Sequence, residues 1–557
     1  MWTPFFSTRK NRASTTVPPP QDLREAKPLE VVLQYHEQTK HHPYRFARSL
    51  GYLDWDNQPD PFRRFVDAPL YRLPHLPSLD DPSYQDLYAS GLISPATLSI
   101  ETLSRFFRNA FAISAWKSYQ GSRWSLRVNP SSGNLHPTES YAIIGQIESL
   151  TAGVYHYAPR EHGLEQRAKL PDYVNNSFLV GLTSIHWREA WKYGERAYRY
   201  CQHDLGHALG ALRLSAAMLG WRAVYLEELS DGEIASLLGL TRADDFHEAE
   251  DEHPECLVAI TASSDFPNAR DLLPGVESAE WSGRANRLSE THVEWEIIDQ
   301  VAPAAQKPRT EPALFSLPDL SEQMLSPDPG SAAETIIQQR RSAVALDGQT
   351  SISRDLFLEI LSRTLPDRNR IPFDLLSRSV LCRPQIHFAL FVHRVEGITP
   401  GLYVLIRNPE SYSKIRAAMQ AQFLWTQPFS SFPLYLLEAG DFTRISSGIS
   451  CGQEIAGDGV FSLGMLAEFE ESIRSTGAWL YPRLFWEAGL IGQILYLEAE
   501  AAGIRATGIG CYFDDPMHEL LGLQTRDLQS LYHFTMGGPV EDTRLTTDSA
   551  YDLQAND

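Results

Sequence analysis

The feature that most constrains this chain is an internal repeat. Gly206 matches Gly489 in a register that runs without a gap from residue 204 to residue 240, and Leu237-Leu-Gly-Leu240 matches Leu520-Leu-Gly-Leu523. Both copies place leucine and alanine at helical spacing and end the helical run at a glycine. A gapless match of this length indicates an internal duplication, so we expect the chain to fold as two related units.

Each repeat also predicts strands upstream of its helix. Gly153-Val-Tyr-His-Tyr157 and Gly401-Leu-Tyr-Val-Leu405 are rich in β-forming residues. Each unit is therefore predicted to mix strands and helices, in the α+β class. Small residues around Gly206 and Gly489 would let the two repeated helices approach closely and join the units as a pseudo-dimer. The alternative is that each helix is buried within its own unit.

Prolines and polar residues set the predicted boundaries. A flexible lead-in over residues 1–28 precedes a first unit over 29–264, and a proline-rich linker over 265–330 precedes a second unit over 331–545. Residues 546–557 are predicted to form a tail. The linker contains Trp281, Trp295 and Ile297-Ile298, so we expect parts of it to pack against the units.

Charge and cysteine content exclude several classes of protein. The chain has 70 acidic and 49 basic residues, and a formal charge of −21 would be repelled by nucleic acids and anionic membranes. No pair of the five cysteines has the short spacing of a metal site, so we predict no metal and reduced thiols in a cytoplasmic protein. No signal peptide or transmembrane run is predicted.

Residues 127–139 form the most informative segment. Two prolines, a glycine, serines and asparagines predict a rigid turn rich in hydrogen-bonding groups, which could contact the edge of a planar heterocycle. An ordinary turn at the start of a strand is the alternative. The candidate binding residues in this segment are Arg127, Pro130, Ser131, Ser132 and Asn134.

Three segments of the second unit could bind an anion or a cofactor. Arg340, Arg341 and Ser342 end a helix-like run, and adjacent guanidinium groups bind phosphate well. Cations also favour helix carboxyl ends without any ligand. The backbone of Gly508-Ile509-Gly510 could contact a cofactor, although no dinucleotide fingerprint is present. Arg544 is a third, isolated arginine, more typical of a surface charge.

The segment from Ala190 to Tyr200 is dense in titratable and aromatic side chains. Lys192 beside Tyr193 could transfer protons if burial lowers the lysine pKa. The alternative is an amphipathic helix whose cations extend into solvent.

With these motifs in view, the chain resembles the nitroreductase-like flavoproteins, and within them the SagB-type dehydrogenase or azoline oxidase branch in a tandem form. The resemblance covers both units. Its carriers are residues 129–137, residues 192–200 with Asp204-Leu-Gly-His207, and residues 485–499 running into Gly508-Ile-Gly-Cys511.

The resemblance implies two nitroreductase-like domains in an intramolecular pseudo-dimer. It also implies one FMN per chain, held by the loop of the first unit and by Arg340, Arg341, Ser342, Gly508, Ile509, Gly510 and Arg544 of the second. Lys192 and Tyr193 would be catalytic, and the reaction would dehydrogenate a peptide-derived or small azoline-like heterocycle. Competing hypotheses are an NAD(P)H-dependent nitro or quinone reductase, and a flavin-binding or flavin-free partner subunit of a biosynthetic complex. Association beyond the internal pair stays open.

Overall fold

A computed structural model describes residues 27–88, 91–170, 173, 175–263, 265–312, 330–367, 370–430 and 432–551. Most of the predicted lead-in therefore lies outside the described residues. Residues 313–329 of the predicted linker and 552–557 of the predicted tail also lie outside them.

The described helices range from four to 22 residues. They are α1 (Pro28–Gln38), α2 (Ile100–Ala110), α3 (His186–Tyr193), α4 (Ala197–Met218), α5 (Asp231–Leu238), α6 (Leu273–Glu277), α7 (Glu296–Ala304), α8 (Ala333–Gln339), α9 (Arg354–Arg363), α10 (Tyr412–Ala418), α11 (Thr443–Ile449), α12 (Ile455–Asp458), α13 (Glu470–Thr476), α14 (Leu480–Ala501) and α15 (Asp514–Leu521).

The described strands form two large sheets and three small ones. They are β1 (Phe65–Val66), β2 (Leu70–Arg72), β3 (Ile113–Tyr119), β4 (Ser122–Arg127), β5 (Thr138–Ile144), β6 (Gly153–Ala158), β7 (Gly163–Lys169), β8 (Phe178–Ser184), β9 (Arg222–Tyr225), β10 (His253–Thr261), β11 (Arg284–Ala285), β12 (Ile352–Ser353), β13 (Ile386–Val392), β14 (Val395–Glu396), β15 (Gly401–Leu405), β16 (Leu434–Ala439), β17 (Phe461–Glu468), β18 (Arg505–Ile509), β19 (Leu528–Gly537) and β20 (Thr546–Asp548).

The two large sheets share one order of strands. The first is β2-β7-β6-β5-β8-β10-β9, and the second is β16-β15-β13-β17-β19-β18. The segment β6-β5-β8-β10-β9 has the same connections as β15-β13-β17-β19-β18, and all of these neighbours pair antiparallel. Successive strand residues face opposite sides of a sheet. A central core accordingly contains one face of both sheets, and two smaller cores cover their outer faces.

The sequence repeat coincides with the boundaries of these elements. The offset that superposes Gly206 on Gly489 also superposes α4 on α14 and α5 on α15 from first residue to last. Both short helices end at a left-handed glycine, Gly239 and Gly522. These positions need a positive φ, which glycine adopts without steric cost.

Helices α4 and α14 pack against each other at the centre of the molecule. A Cβ on Gly206 would lie 2.3 Å from the Trp486 carbonyl oxygen, and a Cβ on Gly489 would lie 2.1 Å from the His203 carbonyl oxygen. Only glycine permits this approach of two backbones. The predicted contact between the repeated helices is therefore present, and the two sheets lie on either side of it.

Buried ion pairs join the two halves at matching positions. Asp514 begins α15 and accepts hydrogen bonds from Arg196 and Arg199 of the first half, both at 3.0 Å. Asp231 begins α5 and pairs with Arg483 of the second half at 3.4 Å. Burial opposes ionisation of Asp514, but the two guanidinium groups hold its pKa well below the usual value. These arginines therefore stabilise the contact between the two halves.

The segments predicted as linker and tail both contain regular structure. In the linker, Trp295, Ile297 and Ile298 are buried in the central core around α7. In the predicted tail, β20 pairs with β3 of the first half, and the Tyr551 hydroxyl donates to the Pro159 carbonyl at 2.6 Å. Within the described ranges, no helix has both the length and the apolar character needed to cross a membrane.

Candidate functional site

A cavity of about 460 Å³ lies between the two halves. Its volume is within the range of cofactor and small-molecule sites. Residues of the first half contribute a loop and the start of α4, and residues of the second half contribute the end of α8, β18 and the segment after β19. Twelve of the residues proposed from sequence line it: Arg127, Pro130, Ser131, Ser132, Asn134, Tyr193, Arg340, Arg341, Ser342, Gly508, Ile509 and Gly510.

The loop at one side of the cavity is fixed by its own side chains. The Ser131 hydroxyl accepts hydrogen bonds from the backbone N–H groups of Leu135, at 3.0 Å, and His136, at 2.7 Å. The Ser132 N–H and hydroxyl both donate to Asp204 of α4, at 2.9 and 3.0 Å. The Asn134 amide donates to the Ser125 carbonyl at 2.9 Å. The polar residues of this segment therefore build a preformed rim.

The opposite side of the cavity is cationic. Arg340, Arg341 and Arg505 line it together with Lys117. Arg340 is buried, and neither it nor Arg341 forms an ion pair within the described residues; the Nε of Arg340 has no hydrogen-bond acceptor there. Burial and the neighbouring Arg340 charge lower the pKa of Arg341 to about 10. Arg505 pairs with Glu500 and Glu541, both at 3.5 Å. Buried cations without counterions are costly, so Arg340 and Arg341 favour an anionic ligand.

One tyrosine connects the cationic side to the glycine segment. The Tyr496 hydroxyl, on α14, lies 2.9 Å from the Ser342 hydroxyl and accepts a hydrogen bond from the Gly508 N–H at 2.9 Å. The Arg340 guanidinium lies over the Tyr496 ring at 5.1 Å. Tyr496 thus positions three of the residues proposed from sequence.

Gly508 in β18 and Gly510 just after it allow aromatic side chains to reach the cavity wall. A Cβ on Gly508 would lie 1.9 Å from the Tyr532 hydroxyl oxygen, and a Cβ on Gly510 would lie 2.1 Å from Cε1 of Tyr200. Tyr532 and Tyr200 both line the cavity. His207 lies beside them, with its Nε2 at 3.1 Å from the Tyr532 hydroxyl.

Lys192 and Tyr193 lie against the polar loop. A Cβ on Gly133 would lie 2.7 Å from the Tyr193 hydroxyl and 3.1 Å from the Lys192 ammonium nitrogen. Tyr193 lines the cavity, whereas Lys192 is not among the residues that line it. Burial and the Glu189 charge raise the pKa of Tyr193 well above its usual value. Its phenol is therefore protonated at neutral pH and suited to donate a hydrogen bond.

A buried pair of carboxyl groups lies beneath the same loop. Asp204 and Glu189 contact each other, and Asp204 lines the cavity. Burial raises the pKa of Asp204 to about 7. Burial and the Asp204 charge raise that of Glu189 well above its usual value, while Lys192 opposes the shift. Two adjacent buried carboxyl groups cannot both ionise readily, because their negative charges repel each other. The pair therefore retains a proton near neutral pH.

Two proposed ligands occupy less central positions. Arg127 lines the cavity, but its guanidinium also donates to the Pro61 carbonyl and lies over the Phe62 ring at 5.6 Å. Arg544 is not among the residues that line the cavity. Its side chain is 70% exposed and pairs with Asp542 at 2.8 Å.

Comparison with known proteins gives one family match. Residues 94–260 match the sequence profile of the Nitroreductase family. The chain is 36% identical over 111 residues to the trifolitoxin-processing protein TfxB of Rhizobium leguminosarum bv. trifolii, a match that covers 16% of this chain and 29% of TfxB. It is 23% identical over 154 residues to "Putative nitroreductase MJ1384" of Methanocaldococcus jannaschii, covering 25% of this chain and 74% of that protein.

A solved structure matches nearly the whole chain. It is the crystal structure of "a putative nitroreductase" from Anabaena variabilis, with a TM-score of 0.66, 22% sequence identity, and coverage of 92% of this chain and 99% of that chain. The similarity in backbone therefore extends over both halves, whereas the family profile covers a part of the first half only.

Proposed function

We propose that this chain, which has the nitroreductase fold and carries a nitroreductase family domain in residues 94–260, is an FMN-dependent oxidoreductase. We further propose that residues 29–264 and 331–545 are tandem nitroreductase-like domains that pair through α4 and α14 as a pseudo-dimer. The repeated order of strands supports this division. The cavity between the halves is the proposed flavin site.

The observation that carries the proposal is the cationic side of the cavity. Arg340, Arg341 and Arg505 present guanidinium groups to one end, where they and Ser342 would hold the FMN phosphate. The polar loop from Pro130 to Asn134 would bind the edge of the ring system. The unpartnered Nε of Arg340 and the glycine backbone at Gly508 and Gly510 also fit such a group. When bound, FMN would accept a hydride from the substrate.

A single flavin per chain is proposed because the matching position in the molecule is filled. Arg213 stands where the repeat places Tyr496, and it forms three hydrogen bonds with Asp374, at 3.0, 3.2 and 2.7 Å. Glu487 stands where the repeat places Asp204, and Arg407 neutralises it at 2.5 Å. Side-chain ion pairs therefore occupy the second position, whereas at the first Arg340 and Arg341 form no ion pair within the described residues and Arg505 pairs with Glu500 and Glu541.

The proposed catalytic residues would accept one proton from the substrate. The Lys192 amine is the proposed acceptor of the substrate proton, and the Tyr193 hydroxyl is the proposed hydrogen-bond donor to the substrate. The Asp204 and Glu189 pair lies beside both and already retains a proton near neutral pH. We propose that this pair adjusts its protonation when the charge of Lys192 changes.

The proposed substrate is a peptide-derived or small azoline-like heterocycle, oxidised by dehydrogenation. The similarity to TfxB, which is named for processing trifolitoxin, supports a modified-peptide substrate and a biosynthetic partner protein. The similarity to MJ1384 supports the second candidate, NAD(P)H-dependent reduction of nitro or quinone compounds. Anaerobic mixing with an azoline peptide or with NAD(P)H separates the two candidates, because only the true donor bleaches the flavin.

The first experiment measures released FMN per polypeptide in the wild type and in the Arg340→Ala plus Arg341→Ala variant. The matched control is Arg354→Ala plus Arg383→Ala, which removes two surface arginines that are 52% and 50% exposed. We expect one FMN per chain in the wild type and the control, and loss of FMN from the cavity variant with an unchanged circular dichroism spectrum. Two FMN per chain would contradict the single site. No FMN after reconstitution would favour a partner subunit without flavin.

A further inference from the structure

Two cysteines meet at the wall of the cavity. Cys511 follows the glycine segment and lines the cavity, and Cys451 follows α11. Both are half-buried, whereas Cys201, Cys256 and Cys382 are buried. The two thiols are close enough for each to shift the ionisation of the other. This contact joins two chain segments that are 60 residues apart in sequence.

The backbone around the two thiols holds them together. The Phe513 N–H donates to the Ile449 carbonyl at 2.7 Å. Phe513 lies two residues after Cys511, and Ile449 lies two residues before Cys451. The Gln453 amide donates to the Ser450 carbonyl at 2.8 Å and to the Cys511 carbonyl at 2.9 Å. The proximity of the thiols is therefore built into the local fold.

The two thiols differ in the direction in which their pKa is shifted. The neighbouring Cys451 thiol, aided by the Arg196 charge, lowers the pKa of Cys511 below its usual value. The Cys511 thiol, with burial, raises the pKa of Cys451. The Arg196 guanidinium lies close to this segment, since it donates to the Gly510 carbonyl at 3.3 Å, and Asp514 opposes its effect. A thiolate favoured at one cysteine beside a second thiol is the arrangement of dithiol redox sites.

We propose that Cys451 and Cys511 form a redox-active dithiol that exchanges electrons with disulfide compounds at the cavity wall. The Cys511 thiolate attacks one sulfur of an external disulfide, forms a mixed disulfide and releases one thiolate. Cys451 then loses its proton and attacks the Cys511 sulfur, which releases the second thiolate and leaves a disulfide between the two cysteines. The dithiol is oxidised by two electrons, the external disulfide is reduced by two, and the two protons pass to the released thiolates.

This activity goes beyond the proposed flavin chemistry, because exchange needs only the two sulfur atoms. The position of the two cysteines also links this activity to the proposed flavin site. Cys511 lines the cavity assigned to FMN, so the oxidation state of the couple changes the wall of that cavity. An external disulfide or dithiol is accordingly the class of redox partner that this wall can recognise.

The test uses the full chain after removal of any flavin, so that its outcome is independent of the proposed function. The protein is reduced, freed of reductant and incubated with oxidised glutathione. Remaining thiols are then alkylated, and intact mass and peptide mapping are recorded. We expect the wild type to lose two alkylation sites, with a disulfide that maps to Cys451 and Cys511.

Single variants identify the attacking and resolving thiols. Cys451→Ser should accumulate a stable glutathione adduct on Cys511, whereas Cys511→Ser should form no adduct at Cys451. Cys382→Ser, which removes a buried thiol, should behave as the wild type. Retention of all five alkylation sites in the wild type would overturn the proposal, as would a disulfide that maps elsewhere. The wild-type measurement decides the matter even if a variant does not fold.

Discussion

Substitution of Gly206 by alanine tests the central helix contact most directly. The new Cβ would lie 2.3 Å from the Trp486 carbonyl oxygen and 2.8 Å from the Gly489 Cα. Carbon and oxygen atoms in contact lie about 3.3–3.6 Å apart. Both neighbours are backbone atoms, so no change of rotamer relieves the overlap. The two helices must separate by about 1 Å, a gap large enough to lose part of the dispersion energy along the contact.

The expected magnitude follows from two opposing effects. Overpacking of a close contact costs about 1–3 kcal/mol, and a backbone-to-backbone overlap lies at or above the upper end of that range. Alanine recovers about 1 kcal/mol of helix propensity relative to glycine. We therefore expect a net destabilisation of about 2 kcal/mol. Because α4 carries Asp204 and α14 carries Tyr496, we also expect weaker FMN binding.

Urea unfolding monitored by tryptophan fluorescence measures the loss, as a lower midpoint of the transition. Gly232→Ala is the matched control, since Gly232 also lies in a helix and its Cβ would meet no atom within 4 Å. The control should keep or raise the wild-type midpoint. An unchanged midpoint in Gly206→Ala would refute the inferred contact between the helices.

Three further perturbations test the site. Gly510→Ala would place a Cβ 2.1 Å from Cε1 of Tyr200. With an overlap cost of about 1.4 kcal/mol, the Kd for FMN should rise about tenfold. Fluorescence titration measures this Kd, and an unchanged value would contradict the prediction. The folded-state pKa of Asp204, about 7 against an ordinary 3.8, means that the folded protein binds a proton that the unfolded chain releases. Stability should therefore fall by up to about 4 kcal/mol as pH rises from about 4 to 7. Because burial also raises the pKa of Glu189, urea midpoints of Asp204→Asn should show a smaller fall, and parallel profiles would refute the shared proton. Lys192→Met and Tyr193→Phe should each slow substrate-dependent flavin bleaching about 10²–10⁴-fold while FMN content stays constant, and unchanged bleaching would exclude their catalytic role.

The repeat made much of the fold predictable. The gapless match begins at residue 204, whereas α4 and α14 begin earlier, at Ala197 and Leu480, and both end just before the glycines that close the predicted helical runs. Strand β20 was not predictable in the same way. Thr546–Asp548 has no alternating hydrophobic pattern, and its partner Trp116–Ser118 lies more than 400 residues away in sequence.

The site was predictable where a short motif carried the chemistry. Residues 130–134 and 340–342 are dense in polar or cationic groups, and they face each other across one cavity. Arg505 was missed because it stands alone at the start of a strand, without the adjacent arginine and serine that mark Arg340 and Arg341. Tyr496 and Glu189 were missed because each acts through neighbours that only the packing of α3, α4 and α14 brings together. The titratable character of the sequence near Glu189 was the one signal that could have identified it.

The filled position around Arg213 and Asp374 has an evolutionary consequence. In a dimer of identical subunits, every substitution occurs at both sites, so neither site can diverge without the other. Covalent fusion of two copies removes that restriction, because each residue then occurs once. One position could therefore accumulate substitutions that stabilise the interior, while its counterpart stayed under selection for ligand binding.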